Sequence, residues 1–332
     1  MLEEVLEMNR LEDITFEQFN NAEFSLSGDN PVIRRRGLSP IIADPSVVTP
    51  DDSHDGNWHM ICHSIFSLEH YSSDDGYIWT HAGKVVNRAM RGNINRINGE
   101  YYIYYEHLQP FVRKMKGLLS GGWISDISLI KSRDLKNYSK PETVLGNDIG
   151  YASDERGRAV SNPFLLNRNG TYRLYFSAGQ TYLEDCGFCE PTYIGIAESD
   201  SPAGPFKAYG SPVISPDKRE RWRNLCCGCI KVYKLADSYI GIQNGIYADD
   251  GGDSHSAIVL LKSEDGLKFE YERELLTPQV CPECRNPDWM KQFVYASSLS
   301  FHDGRLWLYF NARNTADIIR GREHIGLYSA KI

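Results

Sequence analysis

Two kinds of residue in this sequence could carry chemistry: carboxylates beside short strands, and cysteines in closely spaced groups. Asp44 stands in the run Ala43-Asp44-Pro45-Ser46-Val47, where an apolar strand begins. A carboxylate held at a strand end can act as a base or a nucleophile when a second acidic group lies within reach. Glu155 is our first choice for that second group and Glu106 our second, because both are predicted in loops on the same side of the fold as Asp44.

Seven of the eight cysteines fall into three tight groups, one of which is Cys226-Cys227-Gly228-Cys229. The other two are C-x-x-C pairs, a spacing that lets both thiolates bind one metal ion. Together the two pairs predict a structural zinc site of four thiolates, Cys186, Cys189, Cys281 and Cys284, which Cys227 or Cys229 could extend. An iron–sulfur cluster is the weaker interpretation, since its usual spacings are absent. Disulfides in an exported protein, or buried free thiols, are the alternatives.

A repeated pattern predicts the elements that position these residues. A short apolar strand, a tight turn and a second strand rich in Tyr and Phe recur along the chain, with turns at Asn98-Gly99, Asn169-Gly170 and Asp303-Gly304. Two fainter copies turn at residues 51–56 and 236–237. A Ser/Asp/Gly turn and an aromatic residue then follow, which predicts two further strands in each unit. Five units of four strands predict a five-bladed β-propeller, and two stacked β-domains are the alternative.

The last unit lacks a fourth strand, because the chain ends soon after its third. Residues 24–33 resemble the missing strand, so we expect an N-terminal strand to close the ring and leave no open edge. This organisation predicts an N-terminal helix or arm over residues 1–23, packed on the ring, and a single propeller domain over residues 24–332.

Propeller geometry places the start of each blade's first strand on one face, together with the link between its second and third strands. Polar residues at those positions surround the mouth of the central channel. We predict that substrate is bound by His63, Arg91, Asn93, Arg158, Asn162 and Arg313. The carboxylates of Asp154 and Glu190 are also predicted on this face.

Composition narrows the range of partners. A formal net charge of −8 argues against nucleic acid as a main partner. No segment is long and apolar enough to span a membrane, and residues 1–20 lack the basic start and apolar core of a signal peptide. We therefore expect a cytoplasmic protein with reduced thiols. The sequence does not determine its oligomeric state.

With Asp44-Pro45-Ser46 ahead of the repeated units, the chain resembles the five-bladed glycoside hydrolases of families 43, 32, 62 and 68 over about residues 24–332. The resemblance implies a carbohydrate substrate, cleaved in a central-channel pocket, with Asp44 as base or nucleophile. It also implies an Asp opening blade two and a Glu general acid opening blade three. Those positions hold Arg91-Gly92-Asn93 and Ser161-Asn162 instead. Nothing in the sequence bears on the channel calcium that some related propellers hold.

Several functions are compatible with these departures. The first is a glycosidase whose general acid has moved to another loop, and this is the function we expect. In the second, the chemistry has changed, and Arg91, Arg158 and Arg313 bind an anionic sugar or a phosphate. In the third, the propeller binds a sugar without cleaving it and is held rigid by a structural metal. The last is a Cys-ligated metalloenzyme acting on a sugar-derived substrate.

Overall fold

The computed structural model describes residues 10–65, 67–108, 123–154, 156–168 and 170–332, and it consists almost entirely of β-structure. Strands account for 54% of the described residues and helices for 6%, which confirms the predicted all-β class. The N-terminal segment holds a 3-10 helix (Leu11–Asp13), helix α1 (Phe16–Asn20) and strand β1 (Ser25–Leu26). Thr15 caps α1 by accepting a hydrogen bond from the backbone of Gln18. Phe19 of α1 is fully buried among apolar side chains of the last strands of the chain.

Most of the remaining described strands form five antiparallel groups of four, which we call units one to five. Unit one contains β2 (Ala43–Val48), β3 (Trp58–His63), β4 (Ser67–Ser73) and β5 (Thr80–Asn87). Unit two contains β6 (Ala89–Ile97), β7 (Glu100–Leu108), β8 (Trp123–Ser132) and β9 (Glu142–Leu145). Unit three contains β11 (Gly157–Arg168), β12 (Thr171–Ala178), β15 (Tyr193–Ser199) and β16 (Lys207–Ala208). Unit four contains β17 (Cys226–Lys234), β18 (Tyr239–Ala248), β19 (Ser254–Ser263) and β20 (Glu270–Leu276). Unit five contains β21 (Phe293–His302), β22 (Arg305–Arg313), β23 (Glu323–Lys331) and β1.

Shorter elements complete the described chain. Strand β10 (Ser153–Asp154) pairs with the start of β11, and β13 (Thr181–Leu183) forms a separate hairpin with β14 (Phe188–Glu190). Further 3-10 helices span Pro50–Asp52, Gly150–Ala152 and Arg221–Arg223. The start of β11 also pairs in parallel with β8, which joins units two and three into one sheet. In the described part of the chain, no helix is long and apolar enough to cross a membrane.

The repeated turns form as their residues predict. Asn98 and Gly99 both have positive φ, as do Asp303 and Gly304, which is what a two-residue hairpin turn requires. The turn after the third strand also repeats. In unit one, the Ser73 hydroxyl accepts a hydrogen bond from a backbone amide, and the Asp75 carboxylate accepts two more. The same arrangement recurs in units two and four, so the Ser/Asp signal identified one turn used three times.

The first strands of the five units contact one another in a cycle. Strand β2 contacts β6 and β21, β6 contacts β11, β11 contacts β17, and β17 contacts β21. A cavity of about 1230 Å³ is lined by residues from all five of these strands, together with the turns that follow some of them. The two ends of the chain also meet: β1 pairs antiparallel with β23, Ser25 opposite Ser329.

Candidate active site

The start of every first strand carries a break in its pairing with the second strand. The register shifts between Ala43 and Ser46, Met90 and Asn93, Ser161 and Phe164, Cys226 and Cys229, and Val294 and Ser297. A shift of this kind re-aims the side chains within it. The repeat therefore sets one special position in each unit, at the same end of each first strand.

In four of the five units, one residue inside the break has an uncommon backbone conformation with positive φ. Asp44, Arg91 and Asn162 have φ of 51°, 52° and 49° respectively, and Gly228 has φ of 60°. A non-glycine residue in the left-handed region costs on the order of 1–2 kcal/mol, so its retention in three units points to a functional constraint. These are positions that the sequence repeat had selected.

Asp44 is held as an ionised carboxylate. Its Oδ2 lies 2.9 Å from Nε2 of His63, whose other ring nitrogen lies 2.9 Å from the Ser64 carbonyl oxygen. Burial alone would raise the pKa of Asp44, but the His63 hydrogen bond and the nearby charges of Arg91 and Lys231 outweigh burial and lower it. Asp44 is thus negatively charged near neutral pH, as a base or nucleophile must be.

Glu106 is buried and already paired. One of its oxygens lies 2.8 Å from Nη1 of Arg91, and the other accepts a hydrogen bond of 2.7 Å from the Trp123 indole. With no exposed side-chain surface, Glu106 fixes the Arg91 guanidinium next to Asp44. The structure therefore places Glu106 beside the site as a positioning group, which does not suit it to the proton-donor role we had suggested. Our other choice, Glu155, lies outside the described residues.

Glu190 has the properties expected of the missing acid. It ends β14, in the link between the second and third strands of unit three, and its side chain is only partly exposed. Burial, together with the negative charges of Glu323 and Asp44, raises its pKa to about 7, against the opposing effects of Arg91 and a Tyr295 hydrogen bond. The sequence predicted Glu190 on the same face as Asp44 but carried no signal for this shift, because the charged groups that cause it belong to other units and its burial arises only when the units pack.

Unit five supplies a third set of polar groups. Asn311 accepts a hydrogen bond of 3.1 Å from the Asp44 backbone amide and donates one of 3.0 Å to Glu323. Arg313 lies 3.0 Å from the other oxygen of Glu323, and its guanidinium stacks over the Phe188 ring of β14 at 5.3 Å. Asn311 and Glu323, which we had not selected as site residues, connect Arg313 to Asp44, and substrate binding by Arg313 stays a prediction.

The other predicted substrate-binding residues differ in their surroundings. Asn93 is buried, and its amide binds the Ser46 hydroxyl and the Leu165 backbone, so it links units one, two and three. Asn162 lies in the strained position described above and is also buried. Arg158 is largely exposed, and its nearest carboxylate, that of Asp148, is 4.0 Å away. Only Asn162 of these three remains a strong candidate for substrate contact.

The structure does not gather the four predicted zinc ligands. Cys281 and Cys284 form a disulfide inside the core cluster that also holds Trp289. Cys186 and Cys189 are free thiols, and Cys186 packs with Cys226 in a different cluster. All eight cysteines lie within the described residues, and the sulfurs of the two pairs do not form a metal-sized group there. The loops of the two pairs pack in different core clusters, and a zinc site shared by the two pairs stays a prediction.

The other cysteines are buried in unit four or unit one. Burial raises the pKa of Cys186, Cys227 and Cys229 to about 12 in each case, so these thiols are protonated near neutral pH. Cys62 lies in β3 with no exposed surface, as expected for a core residue. The five buried free thiols therefore behave as apolar core groups, whereas Cys189 is partly exposed.

Comparison with known proteins gives matches in structure alone. No protein-family model and no curated protein matches the chain. A solved glycoside hydrolase matches with a TM-score of 0.67 at 13% identity, over 96% of each chain. A β-1,2-mannobiose phosphorylase from Listeria innocua, in complex with β-1,2-mannobiose, has a TM-score of 0.63 at 10% identity, over 93% of this chain and 97% of that one. A family 117 glycoside hydrolase from the marine bacterium Zobellia galactanivorans has a TM-score of 0.58 at 15% identity, over 93% and 90%. At such low identities these matches establish a shared fold.

Proposed function

We propose that this protein is a glycoside hydrolase built on a five-bladed β-propeller closed by its N-terminal strand. Each four-stranded unit is one blade in this proposal. The cyclic contacts of the first strands support it, as does the pairing of β1 with β23. The fold shared with glycoside hydrolases and a phosphorylase adds support.

The observation that carries the functional proposal is a pair of carboxyl groups whose pKa values are shifted in opposite directions. The pKa of Asp44 is lowered, while that of Glu190 is raised to about 7. Hydrolysis of a glycosidic bond needs a proton donor for the leaving oxygen and a base or nucleophile on the other side of the sugar. Environments that push two carboxyl pKa values apart are how such sites assign those roles.

In the proposed mechanism, Glu190 gives its proton to the leaving oxygen as the glycosidic bond breaks. Asp44 either attacks the anomeric carbon directly or removes a proton from the attacking water. His63 holds Asp44 through Oδ2, and within the described residues Oδ1 has no hydrogen-bond partner and is free to act. A carboxyl separation of about 5 Å would favour retention of configuration, and one of roughly 6.5–9.5 Å would favour inversion.

The charges around Asp44 favour a neutral sugar over an anionic one. Arg91 is neutralised by Glu106 at 2.8 Å, and Arg313 by Glu323 at 3.0 Å. Lys231 is buried over the Phe164 ring, and its charge acts on Asp44. Each buried cation of the site is therefore already paired with a carboxylate or acts on Asp44. This argues against the binding of an anionic sugar or a phosphate, which we considered from the sequence.

A substrate panel with one matched control tests the proposal. Wild type, Asp44→Asn and Asp74→Asn would be assayed on aryl glycosides and oligosaccharides, with and without inorganic phosphate. Asp74 is an exposed carboxylate of the same unit, so its substitution should leave activity unchanged. We expect Asp44→Asn to lose about 10²-fold or more, a typical contribution of such a group.

The outcomes separate the candidate functions. Full activity of Asp44→Asn would exclude Asp44 as the base or nucleophile. Sugar binding by calorimetry without turnover of any glycoside would favour the non-hydrolytic binding propeller. Release that depends on phosphate would make the protein a phosphorylase acting at the same site. The anomer of the first product, read by NMR, would show whether configuration is retained or inverted.

A further inference from the structure

A cluster of histidines with one carboxylate lies in unit one, away from the candidate active site. Nε2 of His59 is 2.9 Å from Oδ1 of Asp55, and Nε2 of His54 is 3.8 Å from Oδ2. The two imidazole rings are nearly parallel, with centroids 5.3 Å apart and planes 17° apart. One ligand atom from each of the three residues lies within 4.8 Å of the ligand atoms of the other two, which is close enough for them to share one metal ion.

Neighbouring groups orient both rings so that their Nε2 atoms face the carboxylate. Nδ1 of His54 lies 2.9 Å from the Tyr101 hydroxyl, and Nδ1 of His59 lies 3.0 Å from Nε2 of His70. The Asp55 carboxylate is itself held by the Asn57 backbone amide at 3.1 Å. Metal-binding histidines commonly have their second nitrogen hydrogen-bonded in this way, which fixes the ring and its tautomer.

We propose that His54, Asp55 and His59 bind a divalent transition-metal ion of the zinc class. Zn²⁺ takes imidazole nitrogen and carboxylate oxygen at roughly 2.0–2.2 Å, so tetrahedral ligands stand about 3.3 Å apart. The two observed separations, 2.9 and 3.8 Å, lie on either side of that value. His54 and Asp55 both reach solvent, with side chains 26% and 38% exposed, so water can fill the fourth position.

This site is separate from the proposed catalytic groups. His59 lies near the start of β3, while His63, the partner of Asp44, ends the same strand. Four residues of extended strand span about 13 Å, so the ion would not touch the sugar. It would instead fasten the loop between β2 and β3 to Tyr101 of unit two, through His54. The proposed ion is therefore structural, and the inference does not depend on the glycosidase proposal.

Zinc and cobalt binding to the full-length protein tests the site. Chelator-treated wild type should bind one Zn²⁺ per chain at this site by isothermal titration calorimetry. Co²⁺ in its place should give the visible absorption of a low-symmetry nitrogen and oxygen site, without a thiolate charge-transfer band. His54→Ala and Asp55→Asn, both on exposed ligands, should each weaken binding by more than about tenfold.

His81→Ala is the matched control. His81 is a partly exposed histidine of unit one whose Nε2 pairs with Glu69, so it lies outside the cluster. This variant should bind zinc as the wild type does. Circular dichroism of the metal-free variants would establish that they fold. The proposal would be overturned if both ligand variants kept the zinc affinity of the wild type. A cobalt spectrum with a thiolate band and no nitrogen-ligand signal would also overturn it.

Discussion

Replacing Glu190 by Gln probes the proposed acid through both stability and activity. Gln keeps the size of the side chain and mimics its protonated form, but it can neither ionise nor donate a catalytic proton. The pKa of Glu190 rises from an ordinary 4.5 to about 7 in the folded protein. At about 1.4 kcal/mol per pKa unit, this corresponds to about 3 kcal/mol, to be taken as an upper value because the side chain is partly exposed.

The sign of this effect follows from proton binding. Between pH 4.5 and 7 the folded protein keeps the Glu190 proton and the unfolded chain has lost it, so the free energy of unfolding falls as pH rises. Below pH 4.5 both states are protonated and the penalty is absent, while above pH 7 it is complete. Glu190→Gln should therefore be more stable than wild type at pH 8, by up to about 3 kcal/mol, and equal to it near pH 4.

Urea unfolding at pH 4.5 and at pH 8 measures this without a known substrate. Glu184→Gln is the control, since Glu184 is an exposed residue of the same loop and should show no such dependence. Once a substrate is found, activity of the wild type should fall as pH rises through about 7, and Glu190→Gln should lose about 10²–10⁴-fold. A substrate whose leaving group needs no protonation should recover most of that loss.

Two outcomes would refute the reasoning in different ways. If Glu190→Gln gains no stability at pH 8, the carboxyl is ionised in the folded protein and cannot be a reservoir for the catalytic proton at neutral pH. If it gains stability but keeps full activity on substrates with poor leaving groups, Glu190 is buried and protonated without being the general acid. The second outcome would leave Asp44 as a candidate and move the search to the loop around Glu155.

Further expectations concern the residues that hold the site together. Arg91→Leu should destabilise the protein by about 3–5 kcal/mol in urea unfolding, because it leaves the buried Glu106 carboxylate without its cation. Arg158→Leu, at the surface, should cost less than about 1 kcal/mol. Gly228→Ala should lower the free energy of unfolding by more than about 1–2 kcal/mol, measured by thermal unfolding. Residue 228 has φ of +60°, and the added Cβ would lie 2.1 Å from a backbone oxygen. Gly210→Ala is the control, because its Cβ would enter open space and the change should be near neutral. Titration of the denatured, unreduced protein with a thiol reagent should find six free thiols among the eight cysteines. A count of eight free thiols would mean that Cys281 and Cys284 are not joined and could still bind zinc with Cys186 and Cys189. Elemental analysis of protein purified without chelator would then test for the metal.

Much of the architecture could be read from the sequence because its causes are local. An Asn-Gly or Asp-Gly pair sets the hairpin turn by itself, and a Ser/Asp pair satisfies the backbone amides of the next turn. Three clear copies of the hairpin and two fainter ones predicted the four-stranded units and their order. The same repeat identified Asp44, Arg91 and Asn162 as equivalent positions, and the structure gives all three the same left-handed backbone.

The shifted carboxyl group was harder to predict, because its properties come from contacts distant in sequence. The pKa of Glu190 depends on burial and on groups from units one, two and five, so no local pattern marks it. Glu106 looked like a free loop carboxylate until its pairing with Arg91 and Trp123 was seen. For the cysteines, C-x-x-C spacing shows that two sulfurs can meet, but which pairs share a site is decided by the packing of their loops.

The sequence by itself therefore determined the all-β class, the repeated four-stranded unit and the position of Asp44, since turn chemistry and alternation act over a few residues. Only the tertiary structure decided which carboxyl pKa is raised and which arginines are already paired with a carboxylate. Those features depend on burial and on distances between units, and both arise when the units pack together.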